Sequence, residues 1–273
     1  MPDNIDLSRM QSVPVMGPNG FLRLHHHWRE PDGSMWDDIW ENTSSADYWR
    51  NALKGRLMPE HKIFLKYMAP GAKVLEAGCG VGQVVIALRA RGIDCHGLDF
   101  AQKTIEILNR RFPDVPFRLG DIRDLPYSDN SFDAYISLGV IEHFTEGQEK
   151  MLREAARVVK PGGCIFISVP ALNGWRKFRS RFGLYDTSAT EPFFEACYSV
   201  DELEQLLGNA GFRPVECSFI NSVMTFVQET PLRPLYRHIE DLRYVRGAVD
   251  RVLRFTLPKF LFGHMVMVVA TRK

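Results

Sequence analysis

The run Gly78-Cys79-Gly80-Val81-Gly82 stands between a short apolar stretch, Val74-Leu75-Glu76-Ala77, and a segment with helical patterning. Glycines at such a junction let the backbone turn tightly and approach a ligand, while the start of the helix offers unpaired N–H groups. Alone, this spacing is equally that of a plain strand-to-helix turn. Three carboxylates around it narrow the reading. Glu76 lies two residues before the first glycine, Asp99 ends a second apolar stretch, and Asp121 follows a third. Asp99 has the placement of an acidic residue that accepts hydrogen bonds from both hydroxyls of a ribose. Phe100 beside it offers a flat apolar face to a purine, and Asp121-Ile122 supplies a carboxylate and a backbone N–H for an adenine edge. Taken singly, Asp99 and Asp121 read equally well as helix N-caps and Phe100 as core; the joint spacing favours a nucleoside-bearing ligand. Glu142-His143 follows a fourth apolar stretch, and the ordinary pKa of histidine suits His143 to removing a proton near neutrality.

These residues need a parallel α/β sheet to bring them together. Between residues 74 and 169, short β-branched runs alternate with helical segments. The pattern predicts strands over 73–77, 93–98, 115–119, 133–138 and 164–169, with helices over 83–90, 101–111 and about 147–158. Pro113 stops the second helix, and Gly92 and the run Lys160-Pro161-Gly162-Gly163 follow the first and third. Ser199-Val200-Asp201-Glu202 predicts a capping box that opens a further helix, ended by Gly211. Strands over 215–219 and 265–270 complete the series. Residues 1–70, 171–198 and 221–262 fall outside this rhythm, and segments of that length usually serve as lids or carry their own helices. The last two leave the carboxyl ends of strands, the edge where ligands bind, so they are expected to converge on one crevice.

Composition sets the outer limits. The chain has 273 residues, with 34 Lys and Arg against 33 Asp and Glu, which argues against holding nucleic acid by bulk charge. It has no apolar stretch long enough to span a membrane and no signal-peptide pattern at its start. Its five cysteines form no CxxC pair, so a cytoplasmic protein without a disulfide framework or structural zinc is the expectation.

The motifs, in this order, resemble those of class I S-adenosylmethionine-dependent methyltransferases. Residues 74–82 look like the first motif, Gly97-Leu98-Asp99-Phe100 like the acidic second and Gly120-Asp121-Ile122 like the third. Residues 129–144 and 152–163 resemble the fourth motif and the helix and turn before the fifth strand. The resemblance covers about 72–220 and 263–271. It implies a Rossmann-like α/β fold: a seven-stranded, mostly parallel sheet with an antiparallel last strand, here carrying helical lid insertions at 171–198 and 221–262 and an N-terminal cap over 1–70. It also implies S-adenosylmethionine as cofactor. Gly78, Cys79, Gly80 and Gly82 would then cradle the methionine portion, with Glu76 near its amino group. Asp99 would take the ribose, Phe100 and Ile122 the adenine faces and Asp121 its amino group, and backbone carbonyls at Leu138 and Gly139 would approach the methionine. Glu142 and His143 would stand near the acceptor, with His143 as candidate base, although in such proteins this pair often only packs against the cofactor site. Ubiquinone-type O-methyltransferases carry Glu-x-x-Glu-His there, thought to hold a divalent metal; this chain has Gly139 in place of the first glutamate, so no metal is expected.

Around this centre, Trp40 and Tyr48 are candidates to wall the pocket, and Lys54 or Arg56 to meet the cofactor carboxylate. His25-His26-His27 reads as a polar surface. Residues 175–182 interleave Arg176, Lys177, Arg179 and Arg181 with Trp175, Phe178 and Phe182. Residues 233–259 carry seven basic residues and place Ile239, Leu242, Val245, Val249 and Val252 on one face of a predicted helix. The plain reading of its basic face is a solvated surface; the sharper one is a small-molecule or carrier-linked acceptor bearing phosphate or carboxylate, or peripheral contact with an anionic membrane. A nucleic-acid acceptor is disfavoured, since no separate RNA-binding module is visible. Two other functions fit less well: a cofactor-binding protein without turnover, and a nicotinamide-dependent oxidoreductase, which the G-x-G-x-G spacing opposes.

Overall fold

Two short strands, β1 (Gln11–Met16) and β2 (Leu22–His27), pair antiparallel as a hairpin closed by Gly17-Pro18-Asn19-Gly20. The computed structural model describes residues 10–43, 49–240 and 242–273. Helix α1 (Gly33–Thr43) follows the hairpin, and the short helix α2 (Phe64–Tyr67) leads into the predicted α/β series. That series begins with β3 (Lys73–Ala77), α3 (Gln83–Arg89), β4 (Asp94–Asp99) and α4 (Gln102–Arg111). It continues with β5 (Phe117–Leu119), β6 (Phe132–Leu138), α5 (Gln148–Val158) and β7 (Val159–Pro170). After α6 (Gly174–Arg181) and β8 (Phe193–Cys197) come α7 (Val200–Asn209) and β9 (Phe212–Ile220). Helices α8 (Ser222–Glu229), α9 (Arg233–Glu240), α10 (Arg243–Thr256) and α11 (Lys259–Phe262) precede the last strand, β10 (Met265–Arg272).

Seven strands form one sheet in the order β5-β4-β3-β6-β7-β10-β9, parallel except for β10, which runs antiparallel to both β7 and β9. The inner strands are apolar on both sides because both sheet faces are covered. Leu75, Ile165, Ile167 and Val268 point into one core, and their neighbours Val74, Phe166, Met267 and Val269 into the other. The chain reverses its direction of travel across the sheet between β3 and β6, and a crevice for ligands opens at the carboxyl ends of strands flanking such a point.

Several local readings change. The turn at 160–163 belongs to β7, which is twice the expected length. The capping box is half made: Ser199 accepts from the Glu202 N–H, while Glu202 turns its carboxylate to Arg23 of β2 at 2.7 Å. Helix 233–259 is two helices, and in α10 Val245 and Val252 are exposed with Tyr244 and Phe255 rather than packed. The triplet 25–27 is a strand, not a polar surface. Alternation turns His26 inward, where it is 7% exposed and touches Ser12 and Cys197, while His25 packs on Phe193. The largest departure is a second sheet, β1-β2-β8, in which the N-terminal hairpin and the 171–198 insertion pair directly.

Candidate functional site

The glycine loop and the carboxylates around it lie at the carboxyl ends of β3 and β4. Gly80 has φ of 48°, and a β-carbon there would stand 2.9 Å from the Trp40 ring, so the loop tolerates no side chain at this point. Gly78 and Gly82 flank it with Cys79, whose thiol is buried beneath the loop. Asp99 is 5% exposed; one carboxylate oxygen accepts from Gly80 N at 2.7 Å and the other from Ala101 N at 2.9 Å. These bonds hold the loop against β4, and a carboxylate retains lone pairs for ribose hydroxyls. The helix N-cap alternative fails, because α4 is capped otherwise. Its N-cap residue, Ala101, has no polar side chain, and Asp37 reaches across from α1 to accept from Lys103 N and Thr104 N. Glu76 is buried and accepts from Val85 N in the first turn of α3; burial pushes its pKa up to about 8.

Helix α1 lies over this loop. Trp40 covers Gly80, Trp36 stacks on Trp40 at 5.9 Å, and Trp36 meets the His143 ring edge-on at 4.9 Å. Trp49 braces the loop from the other side by donating to Val81 O at 2.8 Å. The Trp40 expectation therefore stands as a position over the loop, and Tyr48 lies outside the described residues. The turn that carries Lys54 and Arg56 is tied to the end of α3 by Gly55 O, which accepts from Arg91 at 2.6 Å, and Arg56 donates to Asn51 Oδ1. The adenine end is also modified. Phe100 is 40% exposed and available as a face, but Ile122 is buried in the core, which leaves its backbone rather than its side chain for a base. Asp121 is held by a forked pair with Arg123 at 2.7 Å, and Arg123 lies over Phe144.

Leu138 and Gly139 end β6, and Glu142 and His143 occupy the following 3-10 turn, Ile141–His143. Nδ1 of His143 lies 2.9 Å from Phe194 O, so Nδ1 carries the proton and Nε2 keeps the lone pair. Burial lowers the His143 pKa to about 4, which makes it a neutral ring and a weak base. Glu142 is fully buried, and neither oxygen has a hydrogen-bond partner. Glu195, from β8, is equally buried and unpartnered, and one donor atom from each of Glu142, His143 and Glu195 falls within 4.8 Å of the others. Sequence reasoning missed Glu195 because no pattern links residues 143 and 195.

Glu195 is the cross-strand neighbour of His26, and His26 lines a cavity of about 650 Å³. Arg176, Arg179, Tyr185, Glu229 and Arg233 also line it, so the N-terminal hairpin, the 171–198 insertion and the 221–262 insertion meet at one cavity, although none of the residues expected to hold the cofactor lines it. Arg176, one of the four cations interleaved with aromatics over 175–182, is not at the surface. It is fully buried at the third position of α6, where its guanidinium pairs with Glu229 at 2.6 Å and donates to Ala171 O and to His264 Nδ1. That proton-accepting role makes His264 neutral, in line with the downward push of burial and Arg176 on its pKa.

Residues 75–167 match the family model described as a methyltransferase domain. The chain is 35% identical over 150 residues to "Probable S-adenosylmethionine-dependent methyltransferase" of Mycolicibacterium smegmatis, covering 54% of each protein. It is 33% identical over 138 residues to "Probable tRNA methyltransferase 9B" of Bos taurus, covering 50% of this chain and 29% of that one. The chain thus spans about half the length of the first relative and under a third of the second. Among solved structures, the methyltransferase bound to the Haloferax volcanii Trm112 activator superposes with a TM-score of 0.57 at 18% identity, over 90% of this chain and 99% of that one, which is a likeness of fold.

Proposed function

We propose that this chain, a member of the class I S-adenosylmethionine-dependent methyltransferases, transfers a methyl group to a small or carrier-linked acceptor that bears an anionic group. The family supplies the cofactor, whose sulfonium is the methyl donor. The loop 78–82 and Glu76 suit its methionine portion, Asp99 its ribose, and Phe100 with the 121–122 backbone its adenine. Methyl transfer is an in-line displacement, so holding acceptor, methyl and sulfur collinear accounts for most of the rate. The neutral, carbonyl-bound His143 is poorly suited to taking the acceptor's proton.

The observation that carries the acceptor class is the cavity beside Glu195. Three guanidiniums (Arg176, Arg179, Arg233) face two carboxylates (Asp186, Glu229), an excess of one positive charge, among the rings of Trp175 and Tyr185. Next to it, α10 exposes Tyr244, Val245, Val252 and Phe255 along one side, with Arg251 and Arg254 nearby, and no helix among the described residues is long and apolar enough to cross a membrane. An exposed amphipathic helix of this kind supports delivery of the acceptor from an anionic lipid surface.

The reading is tested by methyl transfer from labelled S-adenosylmethionine to phosphorylated and carboxylated small molecules, to carrier-linked acids and to bulk tRNA. Label on an anionic small acceptor, lost or shifted to high KM by Arg179→Ala, supports it. Label on tRNA alone would overturn it in favour of the function named for the bovine relative.

A further inference from the structure

We propose that Glu142, His143 and Glu195 together bind a divalent cation at the carboxyl end of β6. The donors come from two distant parts of the chain, yet their ligating atoms lie within 4.8 Å of one another. Bonds of about 2.1 Å to a central ion would close that spread with small side-chain rotations. All four carboxylate oxygens are buried and lack any hydrogen-bond partner. Two such carboxylates side by side are among the costliest arrangements in a protein interior unless a cation joins them. The guanidinium that most influences Glu195 is that of Arg176, and Glu229 already engages it at 2.6 Å.

The strand that supplies Glu195 also prepares the histidine. His26 pairs with Glu195 and His27 with Phe193, so Phe194 is the extra residue of a β-bulge. Its carbonyl accepts from Nδ1 of His143 and aims Nε2 as a neutral donor, the arrangement usual for a metal-bound histidine. Gly139, where a ligand was sought from the sequence, has φ of 69°, and a β-carbon there would come within 3.5 Å of a Glu142 oxygen. A glutamate at 139 would be strained, and the third donor arrives from β8 instead. Two carboxylates and one imidazole suit Mn²⁺, Fe²⁺ or Zn²⁺ better than a soft monovalent ion. The site adjoins the cavity through the His26–Glu195 pair, a position suited to orienting an acceptor oxygen, but the proposal rests on the donor cluster alone and stands apart from the acceptor class.

The test uses the full chain, stripped with EDTA, dialysed, and titrated calorimetrically with MnCl₂ and separately with ZnCl₂. One equivalent should bind to the folded chain. Glu195→Gln should weaken that binding by at least about 10–100-fold, while S-adenosylhomocysteine affinity stays unchanged. If Glu195→Gln does not fold, Glu142→Gln serves in its place. Absence of a stoichiometric ion with both metals, or undiminished binding in a folded Glu195→Gln or Glu142→Gln protein, would overturn the proposal. Neither outcome depends on methyl transfer.

Discussion

Every group expected on the cofactor side, from Glu76 to Gly139, comes from one unbroken stretch of chain, and each sits within a few residues of a strand end. The proposed acceptor side draws on Ser12, His26, His143, Arg176, Glu195, Glu229 and His264, which lie on the hairpin, a 3-10 turn, two insertions and the residue before β10. The cofactor side depends on backbone: glycines that allow close approach, helix starts, and Asp99 holding N–H groups of the loop. The acceptor side depends on buried charged side chains that must be satisfied by partners far away in sequence. A fold can therefore keep its cofactor machinery in a short local code while its acceptor chemistry is set by insertions.

The sharpest way to break this contrast is at Arg176. Arg176→Ala strands the Glu229 carboxylate and removes bonds to Ala171 and His264, so it should destabilise the protein by about 3–5 kcal/mol in denaturant unfolding. A loss under 1 kcal/mol would mean that the acceptor side is not held by its buried ion pair. Asp99→Ala is the counterpart on the other side. It should cost about 1.5–3 kcal/mol of S-adenosylhomocysteine binding by calorimetry, and unchanged affinity would remove Asp99 from the ribose site.

A third prediction concerns pH. In the unfolded chain Glu76 and Glu195 ionise near 4.5, whereas burial raises both to about 8 in the folded, metal-free protein, and Glu142 is raised in the same direction. The folded state thus binds more protons, and stability must fall as pH rises through 8. The buried histidines, lowered in the folded state, oppose this trend only weakly between pH 7 and 8.5, because the unfolded imidazoles are about a quarter protonated at pH 7 and under about a tenth above pH 7.5. The melting temperature in EDTA should drop by several degrees over that window, and Glu195→Gln should flatten the drop; an unaltered slope would show that Glu195 is not held protonated. The smallest effects are expected at the periphery. Trp40→Phe should remove the largest single share of any tryptophan fluorescence change on S-adenosylhomocysteine binding, because Trp40 lies on Gly80. Lys54→Ala should leave cofactor affinity within about 0.5 kcal/mol of the parent, as its turn is tied to the distant end of α3.

Much of the fold was legible because hydrophobic period and glycine punctuation act over a few residues. The strands and helices between 73 and 170, the Ser199 N-cap and the placement of the last strand all follow from such local rules. The legible part of the site was of the same kind: the glycine loop, Asp99 and the Glu142-His143 pair. What misled was sequence context without partners. The His25–His27 run looked like a polar surface until strand alternation buried its middle member against Cys197, and Arg176 read only as one of four cations among aromatics until Glu229 met it. Asp37, which caps α4 from another helix, carried no signal at all.

Local sequence alone specified a parallel α/β sheet with a glycine loop at its carboxyl edge, since short-range sterics, helix starts and periodic burial require nothing from distant residues. Only the tertiary structure decided that the hairpin and the first insertion form one sheet, that Arg176 and Glu229 meet in the interior, and that Glu195 comes beside Glu142 and His143. Those outcomes rest on desolvation and on pairing between segments more than fifty residues apart, where a buried charge is tolerated only if the fold brings it a partner.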